Sequence, residues 1–332
     1  MSGVNRLVQH NRALSFWRRA FCFLLVAASL TLPWSAFAQE NKRAQKEVPF
    51  FQNYSAFELS LTGVAGVGAV VLIGFGHDIF GDPIPSMGTP DQRSVDWRFS
   101  HWANPNPDPE KQWLGGTPDY AGYAMPALAL GFYGLGTIGA ALSDDFFMDS
   151  RKHELAAYAG SIGWTMLTIN ALKLMVGRNR PFTVRDDIDK SKVNEPAKEQ
   201  VISFPSGHAA SAAATMTFVF MDLSDYLVRE VFAESNGALK FTVGRLLPGL
   251  VASGLTWTVM YSWIKDQRHW LSDTLVGAMI GAGFSTFFYT MHFDELGNPR
   301  KDHAEEGSAV QTNVAPLISP MGHAGMSFGL VW

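Results

Sequence analysis

Six long runs free of Asp, Glu, Lys and Arg limit what this chain can fold into: Leu59–Gly76, Tyr120–Ser143, Leu155–Leu172, Val201–Met221, Leu246–Ile264 and Thr274–Met291. Each approaches the roughly 17–25 residues of a bilayer-crossing helix, and each is far longer than an ordinary strand of about 5–6 residues. They predict an all-α fold, a bundle of about five to six long apolar helices. Gly277 and Gly281 stand four residues apart, a spacing that lets helix backbones approach closely. Two connections are long. Residues 77–119 carry Trp97, Trp102 and Trp113 among prolines, a composition suited to a membrane interface, and 182–200 is charged and reads as a solvated linker or a lid.

The ends of the chain differ from the middle. Arg6, Arg12, Arg18 and Arg19 precede an apolar stretch from Ala20 to Leu32, and Ala36-Phe37-Ala38 fits a small-x-small cleavage site. The expected organisation is therefore a signal peptide at 1–38, a linker at 39–56, a helical domain at 57–300 and a tail at 301–332. In the tail, "NVAPLIS" and "GMSFGLVW" flank "PMGHA", a pattern that predicts a small β-hairpin. The one cysteine, Cys22, lies in the signal segment, so a processed chain has neither disulfides nor thiolate chemistry. A formal net charge of −4 gives no sign of nucleic-acid binding, and no protein partner is implied. The chain reads as a bacterial cell-envelope protein. If the run Leu59–Gly76 does not span, Arg151, Lys152, Arg229, Lys240 and Arg245 all fall on the cytoplasmic side, as the positive-inside tendency prefers. That arrangement is expected here, with a soluble or peripheral bundle as the alternative.

Three motifs stand at the ends of the apolar runs. In "KLMVGRNRP", six residues separate Lys173 from Arg180, and Pro181 follows. "PSGH" occupies 205–208, and "HWLSD" places His269 and Asp273 four residues apart, on one face of a helix if helical. Cations closing one helix, a glycine turn opening the next and a His–carboxylate pair suit an oxyanion such as phosphate. Taken singly, each has a plainer reading: a terminal Lys or Arg as a snorkelling or capping side chain, Ser206 as a helix cap, His269 and Asp273 as a structural hydrogen bond. Their order and spacing together favour the oxyanion.

This combination resembles the type 2 phosphatidic acid phosphatase superfamily, whose signature is K-x6-RP, then PSGH, then SR-x5-H-x3-D. The first two motifs are complete here, and the spacing of the apolar runs matches that family's helical core from about residue 57 to 295. The resemblance implies a phosphatase acting on a lipid phosphate or pyrophosphate at the outer side of a membrane, with neither cofactor nor metal. His269 would attack phosphorus, Asp273 would orient it, and His208 would act as general acid and then base. Lys173, Arg180, Ser206 and Gly207 would hold the phosphoryl oxygens. The implied location is the inner membrane with the site facing the periplasm, or else a periplasmic or outer-membrane association.

One position departs from the signature. Counting back from His269, the expected Ser-Arg pair falls on Ser262 and Trp263. Losing one charge-assisted contact costs about 1.5–3 kcal/mol, and Arg178, Lys265 or Arg268 stand near enough in sequence to compensate. Other readings are a soluble acid phosphatase, a vanadate-dependent haloperoxidase, a transporter, or a degenerate member that binds phosphorylated lipid without turnover.

Overall fold

A computed structural model describes residues 50–81, 87–108, 113, 117–142, 146–190, 197–295, 297–300, 311–318 and 324–331. The expected signal peptide and most of the linker lie outside the described residues. Seven helices carry the fold: α1 (Ala56–Phe80), α2 (Val95–Ala103), α3 (Thr117–Leu142), α4 (Phe146–Val176), α5 (Gly207–Tyr226), α6 (Leu247–Lys265) and α7 (Leu271–His292). The architecture is all-α, as expected. Six of these helices correspond to the six apolar runs. The seventh, α2, lies inside the tryptophan-bearing connection. The hairpin expected in the tail remains a proposal; it would pair Gln311–Ile318 antiparallel with Ala324–Val331.

Local chemistry sets the helix starts. Ser55 caps α1 by accepting from the Glu58 backbone N–H at 3.1 Å, the Ser-x-x-Glu pattern of a helix N-terminus. Ser94 caps α2 through the Trp97 N–H, and Ser206 caps α5 through the Ala209 N–H at 3.4 Å. The run from Val201 therefore does not begin as helix: its first six residues form the turn that leads to Ser206.

Helix α5 is the central element and packs against α3, α4, α6 and α7. Its inner face is small, with Ala209, Ala210, Ala212, Ala213 and Ala214 buried. Helix α7 lies against it backbone to backbone, because Gly277 faces the Ser206 carbonyl and Gly281 the Ala210 carbonyl, with no room for a Cβ at either position. Towards the far end of α5, Tyr133, Tyr158, Phe218, Tyr289 and Phe293 form an aromatic core that joins α3, α4, α5 and α7.

Helix α1 is different. It packs on α4 through small residues, Ala65, Ala69 and Gly76, and leaves Val64, Val67, Val70 and Ile73 exposed. Among the described residues, α1 and α7 are the two helices long and apolar enough to cross a membrane. The charge bias argued against α1 as a span; its length and uncovered apolar face make it the more apolar of the two. Exposed apolar side chains continue over α3 (Leu128, Leu135), α6 (Leu250, Val251) and α7 (Met279, Phe287). Exposed large apolar side chains spread over four long helices in this way are unusual for a protein surrounded by water.

Candidate active site

The three motifs converge where α4 ends and where α5 and α7 begin. Gly177, at φ 47°, takes the left-handed conformation that closes α4 and turns the chain into Arg178, Asn179 and Arg180. This segment pairs with 200–203: the Arg178 N–H donates to the Val201 carbonyl, the Ser203 N–H to the Arg178 carbonyl, and the Arg180 N–H to the Gln200 carbonyl. The Ser206 N–H donates to the Asp273 carbonyl at 3.0 Å, tying the α5 start to the α7 start. The loop carrying His269 hangs from the end of α6, since the Arg268 and His269 N–H groups both donate to the Trp263 carbonyl.

His269 is fully buried, and its Nδ1 lies 3.8 Å from Asp273 Oδ2. That is longer than a hydrogen bond, and Ser203 joins the two: its hydroxyl donates to Asp273 Oδ2 at 2.5 Å and sits 3.4 Å from His269 Nδ1. Asp273 also accepts from the Trp270 N–H at 2.9 Å and pairs with Arg178. Its carboxylate is therefore held from three sides in addition to the histidine.

His208, second residue of α5, stacks on the Trp263 ring at 3.9 Å between centroids and meets the Tyr123 ring edge-on at 4.2 Å. The Trp263 ring lies 5.4 Å from that of His269, so one indole adjoins both histidines. The Lys173 ammonium lies beside Gly207, 3.8 Å from where a Cβ would be. Arg180 is buried, its Nε donating to the Glu199 carbonyl at 2.7 Å and its guanidinium 3.5 Å from the Glu199 carboxylate. Thus the segment expected to be a solvated linker or lid contributes Glu199 to the site.

Burial controls the protonation of this cluster. The His208 imidazole is held well below its ordinary 6.5 by desolvation, helped by the charges of His269, Lys173 and Arg180. His269 is lowered to about 4, burial outweighing the opposing pull of Asp273. Lys173 is lowered to about 8 by burial and by Arg180, and burial lowers Arg180 too. All four of these groups are cationic when protonated and crowd a dry space, so an anion placed among them relieves the cost of keeping them charged.

The possible substitutes for the missing arginine separate. Arg178 is committed to the carboxylates of Asp273 and Asp96 and to the Ser272 hydroxyl, so it braces the site. Lys265 lies 6.0 Å above the Tyr261 ring, on a different side of the α6 terminus. Arg268 places its guanidinium 5.8 Å above the Trp263 ring, next to the histidines. Sequence reasoning missed Asp96, which binds Arg178 and also accepts from the Ser272 N–H and hydroxyl at 2.8 and 2.6 Å. It missed Ser203 as well. The cap Ser94, three residues before Trp97, was a legible signal for α2, but nothing local pointed to Asp96 as a brace.

Gly122 on α3 was also missed. A Cβ there would lie 2.6 Å from His208 Cδ2, so this glycine makes room for the ring. Gly122→Val is expected to displace His208 and lower kcat roughly ten- to a hundredfold, since a misplacement near 1 Å can cost about 10²-fold. Steady-state kinetics of the variant with its thermal midpoint would check this; unchanged kcat would contradict it.

Residues 154–296 match a family model described as PAP2 superfamily. A PA-phosphatase related-family protein of Dictyostelium discoideum is 33% identical over 135 residues, covering 40% of this chain and 46% of that relative. This chain thus spans about half the length of the curated relative it matches. No solved structure matches the chain.

Proposed function

We propose, from the match of residues 154–296 to the PAP2 superfamily model, that the protein is a metal-independent phosphatase that hydrolyses a lipid phosphate or pyrophosphate through a phosphohistidine on His269. The observation that carries this reading is the meeting of buried His269 and Arg180 with the half-buried His208 and Lys173 at one end of the bundle. Nδ1 of His269 faces Asp273, which leaves Nε2 as the attacking atom. As Nε2 bonds to phosphorus, the bond to the leaving oxygen breaks and His208 gives that oxygen its proton. Water then attacks phosphorus with His208 as base, releasing phosphate and restoring His269. Lys173 and Arg180 neutralise the phosphoryl oxygens, and Ser206 with the Gly207 N–H adds donors at the helix start.

The lipid substrate is supported by the apolar exterior and by two helices of spanning length and hydropathy. We place the protein in a bacterial inner membrane, exported by the segment 1–38, with the site on the periplasmic side. Phosphate release measured in EDTA over a panel of lipid phosphates and one soluble phosphomonoester tests this. Release confined to the soluble ester would favour an acid phosphatase. Phosphate-lipid binding without release would favour the degenerate binder, which Trp263 in place of the motif arginine supports.

The charge states give a pH prediction. His269 must be neutral to attack, which holds above about 4, whereas His208 must be protonated in the free enzyme, and its proton is lost well below 6.5. We expect kcat/KM to peak on the acid side of neutrality and to fall as pH rises towards 7. A kcat/KM profile that climbs from pH 5 to 8 would contradict these roles.

A further inference from the structure

We propose that Trp263 is itself a substrate-binding residue, its indole N–H donating to an oxygen of the bound phosphoryl group between His208 and His269. This rests on the phosphatase reading for the nature of the ligand. The indole nitrogen can only donate. Trp263 is 7% exposed, and its Nε1 is buried without a hydrogen-bond partner. Buried polar atoms are paired in the large majority of cases, and an unpaired one needs an explanation. The apolar side chains that pack with Trp263, Ala121, Met125, Ala212 and Val259, offer no strong acceptor, and the neighbouring His208 and His269 rings make no hydrogen bond to Nε1.

A second unpartnered atom adjoins the first. His208 Nε2 is also buried and without a partner, and the His208 ring is the one stacked on Trp263 at 3.9 Å. Two unpaired nitrogens thus belong to one aromatic stack, 5.4 Å between centroids from the His269 ring. A tetrahedral oxyanion attached to, or leaving, His269 presents several acceptor oxygens at once, and it is the chemistry that satisfies both. The motif's charged donor is thereby replaced by a neutral one, with Arg268 supplying positive charge above the same ring. The ligand class is a phosphoryl oxyanion: a phosphate ester, or the inorganic phosphate that is released.

The test uses full-length protein in detergent with EDTA, 15N-labelled at tryptophan, and inorganic phosphate as the probe. Trp263→Phe identifies the Trp263 indole resonance. That resonance is expected to move downfield and saturate with phosphate, and Trp263→Phe is expected to bind phosphate about tenfold more weakly. Trp257→Phe, on an exposed position of the same helix, should bind as wild type does. A Trp263 resonance that stays still while phosphate binds, or a folded Trp263→Phe with wild-type affinity, overturns the proposal. Should Trp263→Phe not fold, the wild-type spectrum still decides, because phosphate binding that moves no indole resonance overturns it. Phosphate binding with the Trp263 shift but no turnover of any ester would sink only the phosphatase reading; no phosphate binding at all would sink both.

Discussion

His269→Ala is expected to lower phosphate release by at least about 10³-fold while leaving the protein folded. The nucleophile is the one group whose loss removes the covalent route altogether, and losses of 10⁴–10⁶ are typical when such a residue acts as part of a unit. The side chain is buried, but its contacts with Ser203 and Asp273 are long, 3.4 and 3.8 Å, so its removal disturbs little that holds the fold together. Initial rates in EDTA with matched thermal midpoints check this. A variant within tenfold of wild type would remove His269 from the chemistry.

Asp273→Ala should be costly in a second way. Its carboxylate is buried and receives the Arg178 guanidinium, the Ser203 hydroxyl and the Trp270 N–H. Alanine would leave Arg178 buried with Asp96 as its remaining carboxylate and would uncap the start of α7. Breaking a buried pair from one side destabilises by about 3–5 kcal/mol, so a large drop in thermal midpoint is expected with the loss of turnover. Asp273→Asn keeps an acceptor for Trp270 and Ser203 and should recover part of the stability but little of the rate. Equal stability of Asp273→Ala and wild type, measured by thermal or chemical unfolding, would contradict the bracing role.

The helices were legible because charges and caps mark their ends. Leu59–Gly76 lies within Ala56–Phe80, and Thr274–Met291 within Leu271–His292, the extensions being end turns that carry Glu58, Asp78 and Asp273, charges beyond which an uncharged run does not reach. The turn from Val201 to Ser206 was not legible as such, since apolar residues in a buried turn carry no periodicity that distinguishes them from helix. Lys173, Arg180, His208, His269 and Asp273 stood out through the order and spacing of three motifs, which the fold brings to one end of the bundle, while the roles proposed for them come from the resemblance. Asp96 and Ser203 were not, since their contacts with Arg178 and Asp273 are made across the fold, 82 and 70 residues apart in the chain. Arg178, Lys265 and Arg268 looked alike in sequence. Only tertiary placement separates a brace, a bystander near Tyr261 and a cation over Trp263.

The covalent intermediate is the centre of this account. Rapid acid-free quenching of the enzyme in EDTA with a 32P-labelled lipid phosphate, followed by peptide mapping, tests it most directly. A transient, acid-labile phosphate is expected on the peptide carrying His269, formed at the rate of leaving-group release and absent from His269→Ala. Full turnover with no labelled histidine at any time, and leaving-group release undiminished in His269→Ala, would contradict it.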